Sequence, residues 1–260
     1  MVFRTMGALL LIEAVFMTLA LGVSLWYGEA DSGIFLLSTI ITLLAGVIGL
    51  MVGRRAESRM GEREGYVIVA MVWVVFSAFG LLPYYLSGQV NSITDAWFES
   101  MSGFTTTGAT IIPDLNVITH GLLFWRSLTQ WIGGMGIIVL SIAILPIFGL
   151  NGMQLYAAEV SGLTYEKVSP RIADTAKMMW SIYVLLTASE VMALWLCGMD
   201  LFDAVCHSFS TIATGGFSTK NNSLEFYDSA AIHYTVTFFM FVSGINFVML
   251  IYLLRGKAKN

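Results

Sequence analysis

Two short runs in this chain carry residues suited to holding a bare cation. One is Thr106-Thr107-Gly108 and the other is Thr214-Gly215-Gly216. Threonine supplies a neutral hydroxyl oxygen. Glycine lets the backbone take conformations that aim successive carbonyl oxygens at one axis. Neutral oxygens that replace a hydration shell select monovalent cations, as in a potassium filter. No carboxylate falls inside either run, which argues against a ring for divalent ions.

Each run sits in a longer polar stretch, and the two stretches match. Asp95 to Ile112 reads DAWFESMSGFTTTGATII, and Asp203 to Ser218 reads DAVCHSFSTIATGGFS. They align without a gap at an offset of 108 residues, so Asp95 falls on Asp203, Ser102 on Ser210, Thr106 on Thr214 and Gly108 on Gly216. The first stretch holds six hydroxyl residues between Ser100 and Thr110. Asp95 and Asp203 are expected as helix N-caps. Each would open a re-entrant helix of about ten residues whose C-terminal end favours a cation through its dipole. Such a polar loop is tolerated in a bilayer only where protein buries it or where it lines a path for water.

The elements around the stretches are apolar. The 260 residues are 57% hydrophobic and 12% charged, with a mean hydropathy of +0.79. A soluble domain carries roughly twice that charged share, so the chain reads as an integral membrane protein. Six spans of bilayer-crossing length follow: Met6–Tyr27, Gly33–Gly53, Gly65–Gly88, Thr119–Phe148, Met178–Gly198 and Ser229–Leu254. With a cytoplasmic N-terminus, eleven of the thirteen Lys and Arg residues lie inside, all but Arg126 and Lys220. Basic residues favour the cytoplasmic side, so both termini are expected there and both polar stretches outside. The predicted fold is all-α: two leading helices (1–64), a helix–pore-loop–helix repeat (65–148), a cytoplasmic linker (149–177) and a second, parallel repeat (178–260).

These stretches resemble a known family. SITDAWFESMSGFTTTGATII, QWIGGMGIIVL and HSFSTIATGGFSTKNNS are similar to the membrane subunit of bacterial Trk and Ktr potassium uptake systems. The likeness covers essentially the whole chain, and the leading helix pair resembles the Trk branch. It implies potassium as the transported ion, no cofactor, and a place in the bacterial inner membrane. It implies a pore of four repeats, each giving one filter strand, and a cytosolic nucleotide-binding regulatory subunit. Carried over by position, the filter residues are Thr106, Thr107, Gly108, Thr214, Gly215 and Gly216. The chain departs from the family in holding only two repeats. It is expected to be a truncated chain, to pair with a complementary half-chain, or to assemble as a homo-oligomer that closes the ring. A half that inserts in the membrane without conducting alone is the alternative.

Other residues carry less. Glu99 has two open readings, an outer attractor for cations or a buried carboxylate met by nearby hydroxyls and backbone. Glu13 and Glu190 lie within spans and read as hydrogen-bonded to a neighbouring helix. Arg126 reads as snorkelling or paired with an acid, and Gly133, Gly134 and Gly136 as close helix packing. Trp73, Trp97, Trp125, Trp131 and Trp195 read as belt or packing residues. Cys197 and Cys206 suggest packed thiols without a metal site. No basic stripe suits nucleic acid. A serine hydrolase built on Ser102 with His120 or His233 fits poorly, because Ser102-Gly103 falls on Ser210-Thr211 in the second stretch, where a single nucleophile needs no copy.

Overall fold

The computed structural model describes residues 2–55, 62–134, 136 and 172–245. The inner part of the predicted fourth span, most of the linker and the end of the sixth span lie outside the described residues. The described residues are helical throughout, with loops and short 3-10 turns between. We number the helices α1 Val2–Tyr27, α2 Ser32–Val52, α3 Glu62–Gly80, α4 Leu82–Leu86, α5 Ile93–Phe104, α6 His120–Gly134, α7 Ile172–Leu196, α8 Leu201–Ile212 and α9 Ala230–Ser243. Among the described residues, four segments are long and apolar enough to cross a membrane: Val2–Tyr27, Ser32–Val52, Val67–Leu86 and Lys177–Leu196.

Helices α1 and α2 form an antiparallel pair. The turn works because Gly28 sits at φ +67, beyond the end of α1. Its N–H and that of Glu29 donate to Leu25 and Ser24 carbonyls, which closes the helix end. The two helices then pack backbone to backbone: a Cβ on Gly7 would strike the main chain of Gly46 and Leu50. Small residues permit this approach, and close packing drives helix pairing where lipid removes the hydrophobic incentive. The outer face of α2 keeps Leu36, Leu37, Leu44 and Ile48 exposed, an apolar surface suited to acyl chains.

The predicted third span is not one continuous helix. It breaks at Leu81 into α3 and α4 because Pro83 has no N–H to give the preceding turn. At the break the Gly80 carbonyl accepts from the Trp125 indole N–H at 3.0 Å. Trp125 is fully buried, so it acts in packing and not in a surface belt. Helix α7 starts at Ile172, inside the stretch expected as linker.

The largest core cluster joins α1, α3, α5 and α6, with Phe76, Phe104, Leu122 and Leu128 among its buried members. Helix α5 therefore has a shell of longer helices around it. Helix α8 rests on α6 and α7 in the same manner, with Trp131 of α6 packed against Trp180, Tyr183 and Phe209. That shell is what fixes the two polar segments described next.

Candidate functional site

The two polar stretches fold alike. Each begins with a helix of twelve residues, α5 and α8. The N-caps are Ser92, whose hydroxyl accepts from the Asp95 N–H, and Asp200, whose carboxylate accepts from the Phe202 N–H. This corrects the expected caps. Asp95 and Asp203 lie inside the first turn, three residues on, where a carboxylate still favours the positive end of the dipole. The true caps also stand 108 residues apart.

The helices end the same way. In the first, Thr106 N–H donates to the Gly103 carbonyl and Thr107 N–H to Ser102. In the second, Thr214 N–H donates to Thr211 and Gly215 N–H to Ser210. This paired closure needs a left-handed residue just beyond the helix, a place usually held by glycine. Here threonine holds it: Thr106 has φ +53 and Thr214 φ +54. Two residues later Gly108 and Gly216 return to positive φ, at +74 and +84. Thr107 and Gly215 between them do not. A β-branched residue in this region is strained, and such strain concentrates at functional sites.

The return segments are strapped to their helices by different chemistry at matched positions. Glu99 of α5 accepts from the Thr110 hydroxyl at 2.9 Å and the Ile111 N–H at 3.1 Å. His207 falls on Glu99 in the alignment, and its Nε2 lies 2.9 Å from the Ser218 hydroxyl, which falls on Thr110. Its Nδ1 lies 2.7 Å from the Asp203 carbonyl. The Ser102 hydroxyl donates to the Ala109 carbonyl at 2.6 Å.

Of the two readings of Glu99, its surroundings match the buried carboxylate met by nearby hydroxyls and backbone. Its side chain is 0% exposed, and Arg126, 2% exposed, donates Nε to its Oε1 at 2.6 Å. Its hydrogen bonds among the described residues go to Arg126, Thr110 and Ile111. Arg126 also donates from Nη1 to the Ser218 carbonyl at 2.8 Å and lies 3.7 Å above the Phe217 ring. One arginine thus joins the helix of the first stretch to the return segment of the second. Pairing with an acid was expected for Arg126, but the link across stretches was not, because nothing in the spacing of 126 and 218 signals it.

The two return segments touch directly. A Cβ on Gly108 would collide with the Gly215 carbonyl oxygen, and one on Gly215 would collide with the Gln130 carboxamide. Gly133 and Gly134 do pack closely, against the Phe104 carbonyl and Ala213, so α6 lies flush on the ends of both short helices. Helix dipoles from α5 and α8 then end beside the paired segments, where they favour positive charge.

At the other end of the bundle, polar groups tie loops together. Glu29 accepts from the His120 and Gly121 N–H groups at 2.8 and 3.0 Å and so caps α6. Asp31 accepts from the Ser24 and Thr119 hydroxyls. Asn221 receives the Leu115 N–H and donates to Asp114, which links the loops after the two stretches. Hydrogen bonds from Asn221 and Asn116 hold the Asp114 carboxyl below the usual carboxylate range. Asp203 binds Lys220 at 3.0 Å, with Thr219 and Tyr227 donating to its two oxygens. Glu190 is buried, and neither of its carboxylate oxygens has a hydrogen-bond partner among the described residues, unlike the hydrogen-bonded carboxylate expected. Glu13 is also buried, beside Gly80, and has no hydrogen-bond partner among the described residues, unlike the partnered carboxylate expected.

A helical bundle with membrane-length apolar helices and two matched, oxygen-bearing segments has the architecture of an all-α membrane protein. Comparison with known proteins gives the family. A sequence profile named TrkH, described as cation transport protein, matches residues 24–260. Over 257 residues the chain is 46% identical to the Trk system potassium uptake protein TrkH of Salmonella typhimurium, covering 98% of this chain and 53% of that one. The TrkH of Escherichia coli K12 is 44% identical over the same length, with the same coverage. The crystal structure of the potassium transporter TrkH from Vibrio parahaemolyticus superimposes with a TM-score of 0.83 at 39% identity, over 99% of this chain and 52% of that one. The chain belongs to the TrkH cation transport protein family, whose members are transporters and not enzymes. It spans about half the length of the curated relatives it matches.

Proposed function

We propose that the chain supplies two adjacent strands of a potassium filter in a Trk-type uptake pore, Thr106-Thr107-Gly108 and Thr214-Gly215-Gly216. The observation that carries this reading is the repeated backbone. Left-handed φ at Thr106 and Gly108 flanks a residue of ordinary φ, and the same alternation recurs at Thr214 and Gly216. Alternating hand along a strand turns successive carbonyls to one side, the arrangement that lets backbone oxygen replace water around a cation. The threonine hydroxyls add to that neutral set. Potassium as cargo is what the names of the relatives support.

In this reading α5 and α8 are pore helices entering from the outer face, and α3, α6, α7 and α9 begin or belong to the spans that flank them. That gives two leading helices, two parallel repeats, six spans and cytoplasmic termini in the inner membrane. Ions cross down their electrochemical gradient, selected by fixed oxygens. Two strands do not enclose an ion, so further strands complete the ring. A cytosolic nucleotide-binding subunit is the regulatory partner that the family resemblance implies.

The test is Gly108→Asp in a potassium-uptake-deficient bacterial strain, with the complete reading frame expressed. Rubidium uptake should fall to background. Unchanged uptake and unchanged discrimination against sodium would remove the filter assignment.

A further inference from the structure

We propose that Gln130 of α6 is a selectivity-determining residue, acting from behind the filter by fixing the spacing between its first two strands. The proposal rests on the filter reading above and goes beyond it, because Gln130 itself faces no ion.

Gln130 is fully buried. Its Oε1 accepts from the Phe217 N–H at 3.1 Å. That bond fixes which way the amide lies, since a backbone N–H can be met only by the oxygen. The Nε2 end has no hydrogen-bond partner among the described residues. It lies 3.8 Å from the place a Cβ on Gly108 would occupy, and 2.7 Å from the place of a Cβ on Gly215. The amide plane is therefore wedged behind the point where Gly108 abuts the Gly215 carbonyl. A buried donor without an acceptor is costly and rarely kept without cause.

Gln130 works with Arg126. The two stand four residues apart and so share one face of α6. Arg126 holds the Ser218 carbonyl and Gln130 holds the Phe217 N–H, so the chain just after the second strand is gripped at two successive residues. The grip belongs to this seam. The 108-residue offset carries Arg126 and Gln130 onto Tyr234 and Phe238 of α9, which are 77% and 60% exposed. An apolar ring in place of the amide is not able to reproduce the bond. Selectivity in an oxygen-lined filter depends on cavity size and on the number and field of its dipoles. A wedge that sets the distance between two strands acts on both.

The deciding experiment uses Gln130→Met and Gln130→Glu, expressed with the complete reading frame in an uptake-deficient strain. Rubidium uptake is measured per unit of transporter in the membrane, with and without competing sodium. Gln130→Met keeps length and removes the acceptor. It should lower the preference for rubidium over sodium by about fivefold or more, the size of one lost hydrogen bond. Normal abundance with unchanged preference overturns the proposal. If Gln130→Met fails to accumulate, Gln130→Glu decides, since it keeps shape and acceptor but loses the free donor beside Gly108. A shifted preference supports the proposal and an unchanged one overturns it. If neither variant accumulates, Gln130 is a folding residue and the proposal falls. Gly108→Asp in the same assay separates the two layers. Lost uptake there, with an unchanged preference at Gln130, removes only the present inference.

Discussion

Arg126 and Glu99 form a buried ion pair, 2.6 Å from Nε to Oε1, with neither side chain more than 2% exposed. A pair on a wet surface contributes about 0–1 kcal/mol. Here the comparison is with an unpaired charge left inside, which costs roughly 3–5 kcal/mol. Arg126→Met alone should lower the stability of the detergent-solubilised protein by about that amount. Arg126→Met with Glu99→Met should recover much of it. Thermal unfolding of the three proteins checks this, and equal loss in the single and double variants would mean that the pair is not coupled.

The strained threonines make a second prediction with opposed signs. Left-handed backbone costs an ordinary residue roughly 1–2 kcal/mol, and glycine returns part of that as chain entropy. Thr106→Gly should therefore leave the fold about 0.5–1 kcal/mol more stable. The same change should weaken discrimination between rubidium and sodium, because it removes a hydroxyl from the proposed filter. Thr106→Val tests the hydroxyl alone, since it keeps the branched shape. A Thr106→Gly protein that is both less stable and equally selective would contradict the strain argument.

Much of the site was legible because the repeat is written in residue types. The offset of 108 located both short helices, both hydroxyl–glycine runs and the matched turns at Thr106 and Thr214. The caps were misplaced by three residues, since aspartate in a first turn and aspartate at a cap look alike in composition. Ser92 and Asp200 share the same offset and were the better signal. What stayed hidden were contacts between elements far apart in sequence. Glu29 on His120, Arg126 on Ser218 and Gln130 on Phe217 each join residues 87 or more positions apart. No periodicity encodes such pairings. The break at Leu81 was missed in reading Gly65–Gly88 as one span, although Pro83 signals it, because a proline beyond the first turn has no N–H for the helix ladder.

Glu29 supplies a third prediction. It closes the start of α6 from another helix hairpin, accepting two N–H groups and facing the His120 ring, which stacks on Tyr27 at 4.0 Å. Glu29→Ala should destabilise the fold by about 1–2 kcal/mol, the range of a lost helix cap. Glu29→Gln keeps an acceptor and should cost less. Amide hydrogen exchange at His120 and Gly121 should quicken in Glu29→Ala and stay near the parent rate in Glu29→Gln. Parent-like protection in both variants would mean that this carboxylate does not hold the helix end.

The last prediction separates filter glycine from packing glycine. Gly108 and Gly133 are both in contact with backbone, yet for different reasons. Gly108 has φ +74 and faces the Gly215 carbonyl. Gly133 lies within α6, and a Cβ there would meet the Phe104 carbonyl at the end of α5. In Gly133→Ala the backbone angle is acceptable, so only the collision must be relieved, by sliding α6 away from α5. That should cost about 1–3 kcal/mol, the range of overpacking in a close-packed interior. In Gly108→Ala the collision adds to a left-handed penalty of roughly 1–2 kcal/mol. The strand then has no way to keep both its angle and its neighbour. Gly108→Ala should lose rubidium uptake while the helices stay folded, since Gly108 lies beyond the closed end of α5. Gly133→Ala should lower the melting temperature first and uptake in proportion to the folded fraction. Uptake per folded molecule is the quantity that distinguishes them: reduced for Gly108→Ala and unchanged for Gly133→Ala. The reverse order would place the selective contact on the α5–α6 seam.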